Sequence, residues 1–200
     1  MYGTDLNPLY EEIISGLINE NFAVFDGFFD ENMLEALTSR LEYHLEEERL
    51  RTAGIGNKEL VSIDKQIRSD KILWLKDHPE HPVEKEFMDG VAAFSEYMNR
   101  TCFAGIQGGE FHYACYEEGA FYKRHIDRFM NDNSRKYSII TYLNKDWQPE
   151  DGGELVLYLE DRTLLLRPEF GKTILFKSDL IEHEVLPAKR RRLSITGWLK

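Results

Sequence analysis

The sequence has little cysteine, no long apolar run and no excess of basic residues. Its two cysteines, Cys102 and Cys115, are too few for a disulfide framework and do not show the spacing of a metal-binding motif. No apolar run approaches the roughly 20 residues that a membrane-spanning helix needs. Lys and Arg number 25 against 36 Asp and Glu, so the net charge is −11. This charge argues against nucleic-acid and membrane partners, because both present anionic surfaces.

The remaining composition is typical of one globular domain. The chain has 200 residues, of which 42% are hydrophobic and 30% charged, so most of it is expected to fold around a core. The first twelve residues lack a basic region followed by an apolar segment, which argues against a signal peptide. We therefore expect a cytoplasmic protein.

Helical patterns dominate the first hundred residues. Asn7 and Pro8 are typical of a helix start, and further helices are expected after Asp30 and over residues 83–98. The first helix is expected to bury the apolar residues Leu9, Ile13, Leu17 and Ile18. Short strands are predicted over residues 22–25 and 72–75.

After Thr101 the pattern changes to short alternating runs separated by turn residues. These runs cover residues 110–116, 138–143, 154–159, 163–166, 173–176 and 193–199. Closely spaced strands of this kind indicate an antiparallel sandwich or barrel. The predicted fold class is α+β, a double-stranded β-helix (jelly roll, cupin-like) with an N-terminal helical layer packed on one sheet. We expect one domain over residues 1–200, with residues 1–100 as helical support and substrate-covering loop and residues 101–200 as the catalytic core.

A histidine and a carboxylate lie two residues apart in His125-Ile126-Asp127. Residues i and i+2 of a strand point to the same face, so both side chains would project together. His183 lies shortly before another predicted strand and could complete a set of two histidines and one carboxylate. That set is typical of non-haem Fe(II), although zinc could use the same ligands. The set therefore predicts a class of metal and leaves the reaction open.

Arg192 stands at the end of a basic run but differs from its neighbours. Residues 189–191 are interpreted as a solvated turn, whereas Arg192 begins a strand that carries Ser194, Thr196 and Trp198 on the same face. A guanidinium inside a barrel needs an anion, because an unpaired buried charge costs several kcal/mol. The far carboxylate of a dicarboxylate co-substrate would supply it, and Tyr142 could donate to the same carboxylate.

Together these residues resemble the motif set of 2-oxoglutarate- and Fe(II)-dependent oxygenases. The closer likeness is to prolyl 4-hydroxylases of the hypoxia-inducible-factor type and their bacterial relatives. The segments that carry it are residues 67–74, 114–116, 142–147, 152–155, 183–188 and 192–198.

The resemblance implies a role for individual residues. It implies three iron ligands, His125, Asp127 and His183. It implies that Arg192 and Tyr142 hold the distal carboxylate of 2-oxoglutarate and that Tyr116 lies near its metal-proximal end. It also places three residues on the substrate side, Arg68, Asp70 and Trp74. Residues 51–69, which lack periodicity, would cover a peptide substrate.

The activity that the resemblance implies is hydroxylation of a prolyl residue in a protein, with succinate and CO2 as co-products. The cofactors would be Fe(II), 2-oxoglutarate and O2, with ascorbate as a further candidate. Bacterial members act on elongation factor Tu, which makes that protein the expected partner. Two alternatives stay open: the same chemistry on a free amino acid or other small molecule, and a non-catalytic cupin-like metal sensor. A sensor would have no use for Arg192. His112 is expected to be structural or solvent-facing, and Trp74 and Trp198 are each expected to be core residues more than catalytic ones.

Overall fold

The computed structural model describes residues 6–54, 64, 66–127 and 134–200. In this part the helices are α1 (Pro8–Asn19), α2 (Glu31–Glu46) and α3 (Pro82–Cys102), and a short 3-10 helix covers Pro149–Asp151. The strands are β1 (Phe22–Phe25), β2 (Arg51–Thr52), β3 (Lys71–Trp74), β4 (Gly109–Tyr116), β5 (Tyr122–His125), β6 (Tyr137–Tyr142), β7 (Leu155–Tyr158), β8 (Thr163–Leu166), β9 (Thr173–Lys177), β10 (Glu182–Val185) and β11 (Arg192–Leu199). Among the described residues, no helix has the length and apolarity needed to cross a bilayer.

Local signals set the helix starts. The Asn7 side chain accepts hydrogen bonds from the first turn of α1, and Asp30 accepts one of 2.8 Å from the backbone N–H of Met33 in α2. The prediction for Ile18 was wrong, since this residue is 69% exposed and Ile14 is buried instead. At about 100° per residue, Ile18 lies about 140° around the helix from Ile13, beyond the face that meets the sheet.

Two antiparallel sheets form the core of the fold. The larger has seven strands in the order β1-β9-β6-β11-β4-β3-β2, and the smaller has four in the order β5-β10-β7-β8. One apolar cluster joins the helices to the outer face of the larger sheet, and a second fills the space between the sheets. This arrangement confirms the predicted jelly roll with a helical layer on one sheet. Strands β1, β2 and β3 show that the first hundred residues also extend the larger sheet.

Strands β4 and β11 pair along their whole length at the centre of the larger sheet. Arg192 lies opposite Tyr116, and Thr196 lies opposite His112. Because side chains alternate along a strand, Leu193, Ile195 and Leu199 enter the core beneath the helices. Arg192, Thr196 and Trp198 line a pocket on the other face. The predicted register of this strand is confirmed.

The strands that carry the predicted metal ligands differ from expectation. Strand β5 ends at His125, so Asp127 lies two residues beyond the strand and not on it. His183 lies within β10 and pairs directly with His125 across the smaller sheet, although no strand was predicted there. Both strands are only four residues long and mostly polar, which leaves too little apolar alternation to recognise. Of the loop predicted over residues 51–69, residues 55–63 and 65 lie outside the described part of the chain.

Candidate metal centre and active site

Three side chains converge at the mouth between the two sheets. One donor atom from each of His125, Asp127 and His183 lies within 4.8 Å of the others. The Nε2 atoms of His125 and His183 are each 3.5 Å from a carboxylate oxygen of Asp127. Asp127 and His183 are buried, and His125 is partly exposed at the pocket. Backbone pairing of β5 with β10 brings the two imidazoles together, and the bend after β5 brings in the carboxylate.

Both imidazoles are held in the tautomer that a metal requires. His125 Nδ1 lies 2.7 Å from the Lys123 carbonyl oxygen, and His183 Nδ1 lies 3.2 Å from that of Ile181. A carbonyl oxygen can only accept, so each Nδ1 carries a proton, and in the neutral ring each Nε2 then presents a lone pair. Two lone pairs and a carboxylate that converge on one point repel each other unless a cation lies between them. The donor set therefore fits a divalent metal with open coordination positions.

The surroundings keep Asp127 and His183 in the charge states that a metal needs. Burial would raise the pKa of the Asp127 carboxyl, but His183, His125 and the Ser138 hydroxyl together hold that pKa well below its usual range. Burial lowers the pKa of His183 to about 4, although Asp127 opposes the shift. Near neutral pH the carboxyl is therefore ionised and the His183 imidazole is neutral.

Packing and hydrogen bonds orient the three ligands. The Tyr122 ring stacks on His125 with a centroid distance of 3.5 Å, and Phe176 meets His183 edge-on at 4.7 Å. The Ser138 hydroxyl donates a hydrogen bond of 2.7 Å to Asp127. Restricted rotation of this kind favours metal binding, because little side-chain freedom is left to lose.

Arg192 is buried in the same pocket, and its hydrogen-bond partners among the described residues are uncharged. Its side chain is 2% exposed, Nε donates to the Gly153 carbonyl oxygen at 2.9 Å, and Nη2 donates to the Tyr142 hydroxyl at 3.1 Å. Gly153 can offer this carbonyl because its φ is +71°, and a Cβ there would lie 2.8 Å from the Ala188 side chain. In the described part of the chain no carboxylate contacts the guanidinium, so its charge calls for an anionic ligand.

Of the two tyrosines expected around the co-substrate, one lines the pocket and the other lies behind Arg192. Tyr116 lines the pocket, and its ring lies 5.0 Å from the Arg192 guanidinium carbon. Tyr142 is fully buried and reaches the site through its contact with Arg192. Burial raises the pKa of both phenols, so both stay protonated and able to donate near neutral pH.

Of the three residues expected on the substrate side, two line the pocket and one lies behind it. Arg68 lines the pocket and forms a two-pronged ion pair with Asp70, at 2.8 and 2.6 Å. Asp70 is fully buried and reaches the pocket only through Arg68. Trp74 lines the pocket and is 48% exposed, as a side chain that contacts a large ligand would be.

The structure adds pocket residues to which the sequence assigned no role. Trp198 is buried as expected of a core residue, His112 is buried too, and both also line the pocket. Arg135 also lines it, pairs with Glu110 at 2.8 Å and donates to the Asp127 carbonyl oxygen at 3.2 Å. Strand alternation placed Trp198 on the Arg192 face, which was the signal that could have found it. Arg135 lies in none of the predicted strands and gave no such signal.

Comparison with known proteins agrees with this geometry. Residues 111–200 match the 2OG-Fe(II) oxygenase superfamily. A prolyl-4-hydroxylase from Pseudomonas putida is 32% identical and superposes with a TM-score of 0.89 over 96% of this chain and all of that one. A prolyl hydroxylase from Trichoplax adhaerens, solved with a peptide of the hypoxia-inducible-factor oxygen degradation domain, is 26% identical, with a TM-score of 0.80 over 96% of this chain and 88% of that one.

A human protein, Egl nine homolog 1, is 32% identical over 142 residues, which cover 67% of this chain and 33% of that protein. The chain thus spans about a third of the length of this curated relative. Family membership implies Fe(II), 2-oxoglutarate and O2, and the converging donors of His125, Asp127 and His183 fit that metal. On its sequence, its fold and its donor set, the chain belongs to the 2OG-Fe(II) oxygenase superfamily.

Proposed function

We propose that this chain hydroxylates a prolyl residue within a protein substrate. One O2 and one 2-oxoglutarate are consumed for each prolyl C–H bond that becomes C–OH, and succinate and CO2 are released. One oxygen atom enters the prolyl residue and the other enters succinate, so the reaction balances. The observation that carries the proposal is the buried Arg192, which has no carboxylate partner among the described residues and shares one pocket with the three metal ligands.

Each group has a specific task in this reaction. His125, Asp127 and His183 would hold Fe(II), which with 2-oxoglutarate supplies the O2 activation that C–H oxidation requires. Arg192 would bind the distal carboxylate of 2-oxoglutarate, because a buried guanidinium is stabilised by an anion that it can pair with. Tyr142 orients that guanidinium through its hydroxyl. Tyr116 lies beside both and would contact the co-substrate.

The charges of the pocket favour a peptide over a free amino acid. A free amino acid carries a carboxylate that would need a cation in the pocket. Arg68 and Arg135 are both already paired with carboxylates, Asp70 and Glu110, and Arg192 is taken by the co-substrate. A prolyl residue within a chain has no free carboxylate and needs no such cation. Similarity to two prolyl hydroxylases, one solved with a peptide, supports the same choice.

We further propose elongation factor Tu as the substrate and the cytoplasm as the location. The first rests on the likeness to bacterial members that act on that protein, and the second follows from the first, because an enzyme must share a compartment with its substrate. Ascorbate remains a candidate that would keep the metal reduced.

The test is to incubate the purified protein with Fe(II), 2-oxoglutarate, ascorbate and either elongation factor Tu or a cell lysate, and to map added oxygen by mass spectrometry. Asp127→Ala protein is the control. A hydroxylated proline in elongation factor Tu supports the whole proposal. A hydroxylated proline in another protein would support prolyl hydroxylation and refute elongation factor Tu as the substrate. Oxygen on free proline but on no protein would establish the small-molecule alternative.

A further inference from the structure

Three aromatic rings form a wall of the pocket, one from each of three neighbouring strands. Trp74 of β3 lies opposite His112 of β4. His112 in turn lies opposite Thr196 of β11, and Trp198 follows Thr196 by two residues on the same face of that strand. The ring centroid of His112 is 4.9 Å from that of Trp74 and 5.5 Å from that of Trp198. A polar ring therefore stands between two indoles on the pocket face of the sheet.

The His112 imidazole makes no hydrogen bond to any described residue. The side chain is only 4% exposed, and its Nδ1 is sealed from solvent with no partner. Its Nε2 is not among the sealed atoms, and the residue lines the pocket, so Nε2 is the nitrogen that a ligand can reach. A buried polar atom without a partner costs about 1–3 kcal/mol, so an imidazole at this position needs a compensating function.

The ring is uncharged and most stable with its proton on the accessible nitrogen. Burial, with Arg68 and Arg135 nearby, lowers the pKa of His112 to about 3. Orphaned N–H donors are rarer in protein interiors than under-satisfied acceptors, which favours a bare Nδ1 in the sealed position. The proton then resides on Nε2, and His112 presents a neutral N–H donor to the pocket.

A neutral donor matches what a prolyl peptide can offer. Proline has no backbone N–H, so the peptide unit around a target prolyl residue presents carbonyl oxygens as its hydrogen-bonding groups. A pocket that holds such a residue between aromatic rings needs a donor, and an uncharged donor does not attract a free carboxylate as a cation would. Two arginines at the pocket, Arg68 and Arg135, are paired with Asp70 and Glu110, and the third, Arg192, is assigned to the co-substrate. His112 is the neutral donor whose ring lies between the two indoles.

We propose that His112 is a specificity-determining residue that donates a hydrogen bond from Nε2 to a peptide carbonyl oxygen beside the target proline. The proposal rests on the proposed function of a prolyl hydroxylase. It goes beyond that function because it assigns peptide recognition to a residue outside the metal and co-substrate sites.

The test compares His112→Phe, which keeps the ring but removes the donor, with His112→Gln, which restores a donor. The probe is a synthetic peptide that carries the prolyl residue identified in the lysate experiment. Its affinity is measured by calorimetry on protein loaded with Mn(II) and 2-oxoglutarate, without turnover. Since a neutral hydrogen bond contributes about 0.5–1.5 kcal/mol, we expect His112→Phe to weaken peptide binding roughly 2- to 10-fold. His112→Gln should lie closer to the wild type, and Mn(II) and 2-oxoglutarate affinities should not change.

His44 supplies a matched control. It is also a buried histidine with a sealed, unpartnered Nδ1, but it lies among the helices and contacts Glu84 at 3.3 Å. His44→Phe should lower the melting temperature and leave peptide affinity unchanged. Wild-type peptide affinity in His112→Phe, or an equal loss in the Phe and Gln variants, would overturn the proposal. If the wild type neither binds nor oxidises any prolyl peptide, the proposed function fails first and this inference fails with it.

Discussion

The Ser138 hydroxyl donates a 2.7 Å hydrogen bond to Oδ2 of Asp127, and both groups are buried. Ser138 also lies 2.8 Å from the Ser178 hydroxyl, which must donate to it because the proton of Ser138 is already used. Strand β6 and the residue that follows β9 thus reach Asp127 through a chain of two hydroxyl groups. The carboxylate that follows β5 is thereby fixed by the opposite sheet.

Removing this support should weaken metal binding without removing a ligand. Ser138→Ala leaves Asp127 in place but frees its rotation, and partners of metal ligands typically contribute 10- to 100-fold in affinity. We expect a loss of about 10-fold or more in Mn(II) affinity, measured by calorimetry. Thr141→Val is the matched control, since Thr141 shares a buried hydroxyl pair with Thr173 at 3.1 Å in the same sheet. Equal metal affinity in Ser138→Ala and the wild type would contradict this role.

Loss of the carboxylate itself should abolish turnover and spare the fold. Asp127→Ala removes one of three ligands, whereas the apolar clusters that join the sheets and helices are untouched. We expect no measurable succinate production and a circular dichroism spectrum equal to that of the wild type. Succinate release at the wild-type rate would show that Asp127 does not hold the metal.

Arg192 should act on 2-oxoglutarate and not on the metal. A hydrogen bond to a charged partner contributes about 1.5–3 kcal/mol, so Arg192→Ala should weaken 2-oxoglutarate roughly 10- to 150-fold with Mn(II) affinity unchanged. The 2-oxoglutarate affinity of Arg192→Lys should lie between those of the wild type and Arg192→Ala, because an ammonium keeps the charge but loses the two-pronged geometry.

The neighbouring arginines control for charge in the Arg192 experiment. Arg190 and Arg191 are 45% and 53% exposed in their side chains and pair with Asp151 and Glu117. Alanine at either position should leave 2-oxoglutarate affinity within about 2-fold of the wild type, as expected for exposed ion pairs. The affinities of all these variants are measured by calorimetric titration, first with Mn(II) and then with 2-oxoglutarate. Normal 2-oxoglutarate binding by Arg192→Ala would refute the co-substrate assignment.

His112 should make the fold sensitive to acid. Its pKa is about 3 in the folded protein, where burial, Arg68 and Arg135 oppose protonation and Asp127 favours it, against about 6.5 when unfolded. As the pH falls, the unfolded chain takes up this proton first, so stability declines below about pH 6.5. The contribution lost between about pH 7.5 and pH 5 is on the order of 2 kcal/mol.

Denaturant unfolding of metal-free wild type and His112→Gln at both pH values isolates this contribution, because the metal ligands are common to both proteins. The wild type should lose more stability on acidification than the variant. Equal losses would mean that His112 takes up no additional proton when the chain unfolds.

What the sequence could predict depended on short-range patterns. Asn7 and Asp30 mark helix starts through contacts within one turn, and the register of β11 follows from alternation within eight residues. The metal ligands were recognisable because their residue types and order resemble a known family. These features need no knowledge of which strands pair.

The features that could not be predicted depend on pairing between distant segments. His112 meets Trp198 because β4 pairs with β11, and Ser138 meets Asp127 because β6 passes behind the end of β5. Neither contact leaves a periodic signal in either segment. The lack of apolar alternation also hid β5 and β10, whose pairing aligns His125 with His183.

The most direct test of the central claim is the fate of isotopically heavy O2. Purified protein, Fe(II), 2-oxoglutarate and elongation factor Tu, or the substrate found in the lysate, are incubated under heavy O2 and analysed by mass spectrometry. We predict one heavy oxygen atom in a prolyl residue and one in succinate, in equal amounts, with neither present for Asp127→Ala. Heavy succinate with no heavy oxygen in any prolyl residue, from the wild-type protein, would contradict prolyl hydroxylation.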